Sequence, residues 1–234
     1  MEEKELTILL PVLNEEKTIK ICIDKANKFI KENKINAEVL VADNNSMDNS
    51  CNIAKELGAR VIHIDKIGYG NAIREGIKNA KGKYVIMGDA DDSYNFLELH
   101  KFIEKLREGN ELVIGNRYKS NMEKGSMKVL HKYIGTPILS YIISKKFDVN
   151  IGDCNCGLRG LNKEKINKIG CIAEGMEYAT EQIIKARKNN LKMIQIPINF
   201  YKDARGKKSH LKPIKDGIRH LKIIIKESRK SVLQ

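Results

Sequence analysis

Short apolar runs alternate with longer stretches of helical period through the first half of the chain. Residues 6–12 form an apolar run of the kind that makes a strand buried on both faces, limited by Pro11. Over residues 16–31, Ile19, Ile23, Ala26 and Ile30 recur on one face of a predicted helix. Residues 37–42 predict a second buried strand, which runs into the polar cluster Asp43-Asn44-Asn45-Ser46. A helix capped by Asp48 and stopped near Gly58 should follow. A strand over 60–64, a helix over 69–80, a strand over 83–87, a helix over 96–107 and a strand over 112–115 complete the series. Such alternation with short connections predicts an α/β fold, its central sheet mostly parallel and flanked by helices on both faces. Ligands of such sheets bind beyond the carboxyl ends of the strands. Asp43, the turn Gly68-Tyr69-Gly70-Asn71 and the cluster Asp89-Ala90-Asp91-Asp92 all fall there, so one shared cleft is expected.

After Tyr118 the pattern changes. Residues 126–147 carry an apolar set that includes Val129, Leu130, Tyr133, Ile134, Ile138 and Tyr141, flanked by Lys124, Lys128, Lys132, Lys145 and Lys146. Pro137 predicts a break into two helices. A Gly- and Cys-containing segment over 153–161 leads to a helix over 177–189 and to one or two strands around Pro197. Residues 213–228 return to helical period, with Ile214, Ile218, Leu221 and Ile225 on one face amid Lys and Arg. Both lysine-flanked segments have the character of interfacial amphipathic helices, although surface helices packed on a core share that pattern.

Composition narrows the classes. A chain of 234 residues is long enough to bury a sizeable core without disulfides. Its 5 cysteines are an odd, scattered set that fits a reducing cytosol, and Cys154 with Cys156 lacks the second pair that structural zinc needs. The formal net charge of +13 calls for an anionic partner: nucleic acid, an anionic membrane face or a phosphorylated substrate. At 6% aromatic residues and without a nucleic-acid module signature, nucleic acid is the weakest of these. No run reaches the roughly 18 to 20 apolar residues that cross a bilayer, so the expected location is the cytoplasm, peripheral on the cytoplasmic membrane face.

The acidic cluster supplies the chemistry. Three carboxylates crowded at the end of a buried strand are costly without a cation. Carboxylates that hold Mg²⁺ or Mn²⁺ can neutralise a departing diphosphate. Asp92 with Ser93 has a simpler alternative as a helix cap. Asp43 has one as an Asx-turn.

The motifs Leu10-Pro11-Val12-Leu13-Asn14-Glu15-Glu16, Ala42-Asp43-Asn44-Asn45-Ser46, Gly68-Tyr69-Gly70-Asn71 and Asp89-Ala90-Asp91-Asp92 resemble, in order and spacing, the family 2 glycosyltransferases. Further on, Gly115-Asn116-Arg117-Tyr118, the spacing Asp153 to Gly157-Leu158-Arg159, and Gly175-Met176-Glu177-Tyr178-Ala179-Thr180-Glu181 resemble the branch that makes polyprenyl- or dolichyl-phosphate sugars. The resemblance implies a GT-A (nucleotide-diphospho-sugar transferase) fold. Residues 1–118 would be its nucleotide-sugar-binding half, 119–212 its acceptor-binding half, and 213–234 a basic amphipathic helix.

It further implies an inverting transfer from a UDP-sugar, of the glucose or N-acetylglucosamine type, to a polyprenyl or dolichyl phosphate. Asp89 and Asp91 would hold the metal, with Asp91 central to catalysis. The donor would be bound by Pro11, Asn14, Glu15, Asp43, Gly70, Asn71, Asp89 and Ala90, with Arg205 and Lys208 on a mobile loop over 202–210. Arg117, His131, Lys132 and Asp153 would face the acceptor, whose phosphate is already anionic and needs no base. Glu177 and Glu181 stand four apart on one helical face. With a hydroxyl acceptor in polysaccharide or glycan synthesis, Glu181 would serve as general base. GDP-mannose-dependent synthesis and a non-catalytic nucleotide-sugar-binding protein are the other readings, and a membrane-anchored partner is a further expectation.

Overall fold

The structure is a computed structural model, and it describes residues 4–206 and 213–230. Its centre is a 7-stranded sheet in the order β3-β2-β1-β4-β6-β5-β7. The strands are β1 (Lys4–Val12), β2 (Ala37–Asp43), β3 (Arg60–His63), β4 (Gly82–Met87), β5 (Leu112–Asn116), β6 (Arg159–Asn162) and β7 (Met193–Pro197). Parallel pairing joins β1 to β2 and β4, β2 to β3, and β5 to β7. Strand β6 alone runs against its neighbours, lying antiparallel between β4 and β5.

The apolar run of β1 takes the most buried place, with every residue from Leu6 to Val12 inside. Thr7 fits there because its hydroxyl donates to Glu38 Oε1 and accepts from the amide of Gly82. The helices are α1 (Ile19–Glu32), α2 (Ser50–Glu56), α3 (Tyr69–Asn79), α4 (His100–Arg107), α5 (Thr136–Phe147), α6 (Lys163–Lys168), α7 (Tyr178–Lys188) and α8 (Pro213–Lys230). Helix α1 buries Ile19, Cys22, Ile23, Ala26 and Phe29, the predicted face shifted slightly. All 5 cysteines are free thiols.

Two local expectations are corrected. Helix α4 begins at His100, so neither Asp92 nor Ser93 caps it; Asp92 sits at φ 64 and pairs with Lys25 at 2.6 Å. Pro137 does not separate two helices. A π-helical turn (His131–Gly135) runs directly into α5, whose first turn holds Pro137 where a missing N–H costs nothing. A third point, left open between an interfacial and a core-packed helix, is decided on α8. His220, Ile224 and Glu227 face the protein, whereas Ile218, Leu221 and Ile225 are 49%, 42% and 50% exposed. The apolar stripe legible in the sequence is therefore the uncovered one. Among the described residues no helix is long and apolar enough to cross a membrane.

Candidate active site

Strand β4 delivers Asp89, Ala90 and Asp91 to the floor of a cavity of about 780 Å³. Asp89 Oδ1 accepts the Tyr69 hydroxyl at 2.8 Å. Gly157 packs against its other oxygen, where a Cβ would stand 2.6 Å from Oδ2. Burial first, and the charge of Asp91 second, push the Asp89 carboxyl up to about 6. Some surface of Asp89 stays open to the cleft, yet protein surrounds the group closely enough for burial to dominate. Asp91 is oriented by Ser93, whose amide and hydroxyl both donate to Oδ1.

Arg205 faces these carboxylates from the loop that follows β7. Its guanidinium lies 3.2 Å from Asp91 Oδ2, 3.3 Å from Glu15 Oε1 and 3.4 Å from Asp203 Oδ1. The amide of Ala204 donates to the Asp91 carbonyl, which ties the loop to the acidic turn. A cation is thus held where Asp91 of the floor, Glu15 and Asp203 converge.

The cavity continues from the ends of β1 and β4 toward the second half of the chain. Arg117 lines it, with Nε and Nη2 bound to Asp153 at 2.7 and 2.8 Å and its guanidinium carbon 5.0 Å from the centre of the Phe200 ring. Burial alone would lower the Arg117 pKa, but the adjacent Asp153 charge holds it well above the ordinary value. No hydrogen bond engages Arg117 Nη1 among the described residues. His131 also lines the cavity; burial, with Lys128 and Arg117 nearby, lowers its pKa and leaves the ring neutral near pH 7.

Residues 7–170 match the family model for glycosyl transferase family 2. The chain belongs to that family. It is 33% identical over 221 residues to the low-salt glycan biosynthesis hexosyltransferase Agl6 of Haloferax volcanii, covering 94% of this chain and 53% of Agl6. To glycosyltransferase AglJ of the same organism it is 29% identical, covering 90% of this chain and 67% of AglJ. The chain therefore spans about half the length of Agl6 and two thirds of AglJ. Among solved structures, glucosyl-3-phosphoglycerate synthase of Mycobacterium tuberculosis, in complex with Mn²⁺, UDP-glucose and phosphoglyceric acid, superimposes with a TM-score of 0.77. That match is at 18% identity and covers 96% of this chain and 80% of the synthase. The fold is accordingly that of the GT-A glycosyltransferases.

In this family 2 chain, Pro11, Glu15, Asp89, Ala90, Asp91, Arg117, His131 and Arg205 of the expected set line one cavity. Several others stand behind it. Asn14 shapes the loop over β2, its carboxamide oxygen accepting from the Met47 amide and its own amide donating to Ser46. Asp43 ends β2 beside Val12, bound to the Ser46 amide and to His63 Nδ1 at 2.9 Å. Burial alone would raise the Asp43 carboxyl, but hydrogen bonds from Ser46, His63 and Cys51 hold it below the ordinary range.

Gly70 is a packing residue, since a Cβ there would lie 2.3 Å from the Ala173 carbonyl oxygen. Asn71 is buried, joined to Ile67 and Arg74. Asp153 is fully buried as the counter-ion of Arg117 rather than an acceptor ligand. Lys132 turns away, its ammonium 5.4 Å from the Tyr133 ring centre.

Glu181 is a clear correction. Its Oε2 accepts the amides of Ile172 and Ala173 and its Oε1 pairs with Lys185, so a 1% exposed carboxylate serves a loop and not the cavity. Lys208 lies outside the described residues.

Other cavity residues escaped the sequence reading. Tyr69 and Gly157 sit inside quoted motifs but act on Asp89 through space. Arg159 is fully buried and donates to the carbonyls of Cys154, Cys156 and Ala179 and to Gln182 Oε1, joining β6 to α7. His220 of α8 bonds Thr180 Oγ1 at 2.7 Å, and burial lowers its pKa to about 4.

Proposed function

We propose that this family 2 glycosyltransferase moves a glucose- or N-acetylglucosamine-type sugar, with inversion, from a UDP-sugar to a polyprenyl phosphate at a membrane surface. The observation that carries the acceptor is an uncovered apolar surface beside the cavity mouth. Leu130, His131 and Leu139 line the cavity, while Val129, Tyr133 and Tyr141 of the same segment are 73%, 67% and 64% exposed. The bare stripe of α8 belongs to a helix packed on α5, and that helix also lends Lys215 and His220 to the cavity. Lys128, Lys132, Lys145 and Lys146 flank the apolar residues, the composition that seats a helix in an anionic interface. A phosphate carried on a membrane-embedded chain needs a cleft that opens at such a surface.

Asp89 and Asp91 suit Mg²⁺ or Mn²⁺. They offer hard oxygen donors side by side at the end of β4, and burial together with the Asp91 charge holds the Asp89 carboxyl above its ordinary range, a penalty that a bound cation would relieve. Bound there, the ion supplies Lewis-acid neutralisation of the leaving diphosphate. The structural neighbour crystallised with Mn²⁺ and UDP-glucose, and again with Mg²⁺ and UDP, supports this reading and the uridine donor.

The chain's own groups then divide the work. Arg205, already a cation beside Asp91 and Glu15, is drawn to the donor diphosphate, and its loop covers that end of the cleft against water. Arg117, held charged and fixed by Asp153, presents Nη1 to the acceptor phosphate. A phosphate oxygen attacks the anomeric carbon as the bond to the diphosphate breaks, and a dianionic phosphate does this without a base. The rival hydroxyl acceptor needs a base, and the expected one, Glu181, is committed elsewhere.

The test is transfer of labelled sugar from a panel of UDP- and GDP-sugars to dolichyl phosphate with Mn²⁺. Activity is expected from a UDP-sugar and to be lost in Asp91→Asn and in EDTA. Retention in either overturns the metal assignment, and failure with every lipid phosphate overturns the acceptor. Ile218→Glu with Ile225→Glu should spare transfer to a detergent-dispersed short-chain acceptor and weaken transfer to vesicle-embedded acceptor. Equal vesicle activity would refute the membrane face.

A further inference from the structure

Away from the acidic turn, three unlike metal-ligating side chains meet at the rim of the sheet. Asp43 is the last residue of β2 and His63 the last of β3, and the two are register partners. Cys51 stands in the first turn of α2, which connects these strands. One donor atom from each lies within 4.8 Å of the others, and Asp43 Oδ2 is 2.9 Å from His63 Nδ1. We propose that Asp43, Cys51 and His63 form a site for Zn²⁺.

The donor set selects the ion. Thiolate, imidazole and carboxylate together suit zinc, whereas Mg²⁺ and Mn²⁺ prefer the all-oxygen pair at Asp89 and Asp91. Tetrahedral zinc with such donors holds them roughly 3.4 to 3.6 Å apart. The pair of Asp43 and His63 would open slightly and the thiol would close in, motions within reach of side-chain rotation. Asp43 is already oriented for the task, because the Ser46 amide donates to Oδ1 at 3.0 Å and leaves Oδ2 turned toward His63. Entry is open, since the His63 side chain is 63% exposed. Three protein ligands leave one position for water, as in zinc sites that exchange ligands.

Proton balance is straightforward. The ion takes the place of the proton that the His63 imidazole shares with Asp43 through Nδ1; that proton leaves to solvent and solvent returns one to Nε2, so the imidazole binds as the other neutral tautomer with no net change in its protons. The Cys51 thiol releases its proton to solvent as sulfur binds. Burial and the nearby Asp43 charge hold that thiol at about 11, so it is protonated until a metal displaces the proton.

A consequence follows that rests on the UDP-sugar reading and on the place the family resemblance gives Asp43 in the donor site, where its carboxylate would accept the imide N–H of uracil. Zinc takes the same carboxylate, so the occupied site excludes the base. Zn²⁺ then acts as an inhibitor distinct from the ion at Asp89 and Asp91.

The experiment titrates the full chain with Co²⁺, a spectroscopic stand-in for zinc, in excess Mg²⁺ to occupy the oxygen sites. A thiolate-to-cobalt charge-transfer band is expected, displaced by Zn²⁺ and abolished in Cys51→Ser. His63 is exposed, so His63→Gln should fold normally. An outer-shell partner alone is worth about 10- to 100-fold in metal affinity, and loss of this direct ligand should exceed that. Absence of the band, or a band undiminished in both variants, overturns the site. Saturation-transfer NMR with uridine, which lacks metal-chelating phosphates, reads the second arm. Its signal should fall with one equivalent of Zn²⁺ in wild type and persist in His63→Gln. A zinc-insensitive uridine signal overturns the exclusion. No uridine signal at all, alongside an intact cobalt band, strikes the donor reading and leaves the metal site standing.

Discussion

Replacing Asp153 by Leu would strand the guanidinium of Arg117 inside the protein. Asp153 has no exposed side-chain surface and Arg117 only 9%, and two short hydrogen bonds join them. Removing one partner of such a pair costs about 3–5 kcal/mol, because the survivor remains desolvated and uncompensated. Against a total stability of about 5–15 kcal/mol this is severe. At about 2–4 °C per kcal/mol for a chain of this size, Tm should fall by roughly 6–20 °C, measured by thermal unfolding. The companion variant Arg117→Met with Asp153→Leu removes both charges at similar volume and should restore most of the loss. If Arg117 also grips the acceptor phosphate, the restored double variant should still show an acceptor KM at least about tenfold higher, the worth of one lost charge-assisted contact, with the UDP-sugar KM unchanged. A single variant within about 2 °C of wild type would refute the energetics, since the predicted cost is several times larger. A double variant with unaltered acceptor KM would refute the role.

Gly157→Ala should cut metal-dependent transfer sharply while leaving Tm within a few degrees, because its methyl would lie 2.6 Å from Asp89 Oδ2, the far end of a side chain that can turn aside; undiminished transfer would argue against Asp89. Gly70→Ala meets backbone instead, 2.3 Å from the Ala173 carbonyl, and should lower Tm through overpacking that costs about 1–3 kcal/mol, an effect a melting curve resolves. His220 gives a pH test. Its folded pKa of about 4 lies below the unfolded value of about 6.5, so the unfolded chain binds the proton first and stability falls as pH drops through that window. The loss approaches about 3 kcal/mol by the lower end, and urea unfolding of His220→Gln between pH 7.5 and 4.5 should show a shallower decline than wild type; parallel declines would refute it.

The strands of the first half were legible because an apolar run between polar turns has few other fates, and the sites at their ends came with them. Strand β6 was not, since Arg159-Gly160-Leu161-Asn162 is too short for a period and takes its place through pairing with distant strands. The link of Arg117 to Asp153 spans 36 residues and leaves no local trace. Glu181 misled for a related reason. Two glutamates four apart suggest an outward face, but the amides of Ile172 and Ala173, which need an acceptor inside the fold, claim this carboxylate. On α8 the period located the apolar stripe correctly, while the buried side was decided by partners that no period records: Thr180 for His220 and Lys188 for Glu227.

The antiparallel β6 has a consequence for how the chain is made. Strand β5 pairs only with β6 and β7, so it leaves the ribosome with no neighbour and waits until at least residue 162 has emerged. Until then β4 also presents an unpaired edge, a template for sticking to another chain. A fragment ending near residue 118 would keep three parallel neighbours, β1, β2 and β3, beside β4, yet carry β5 as a loose apolar segment. Such a fragment should aggregate rather than fold, and closing the sheet should be a late, slow step in folding of the whole chain.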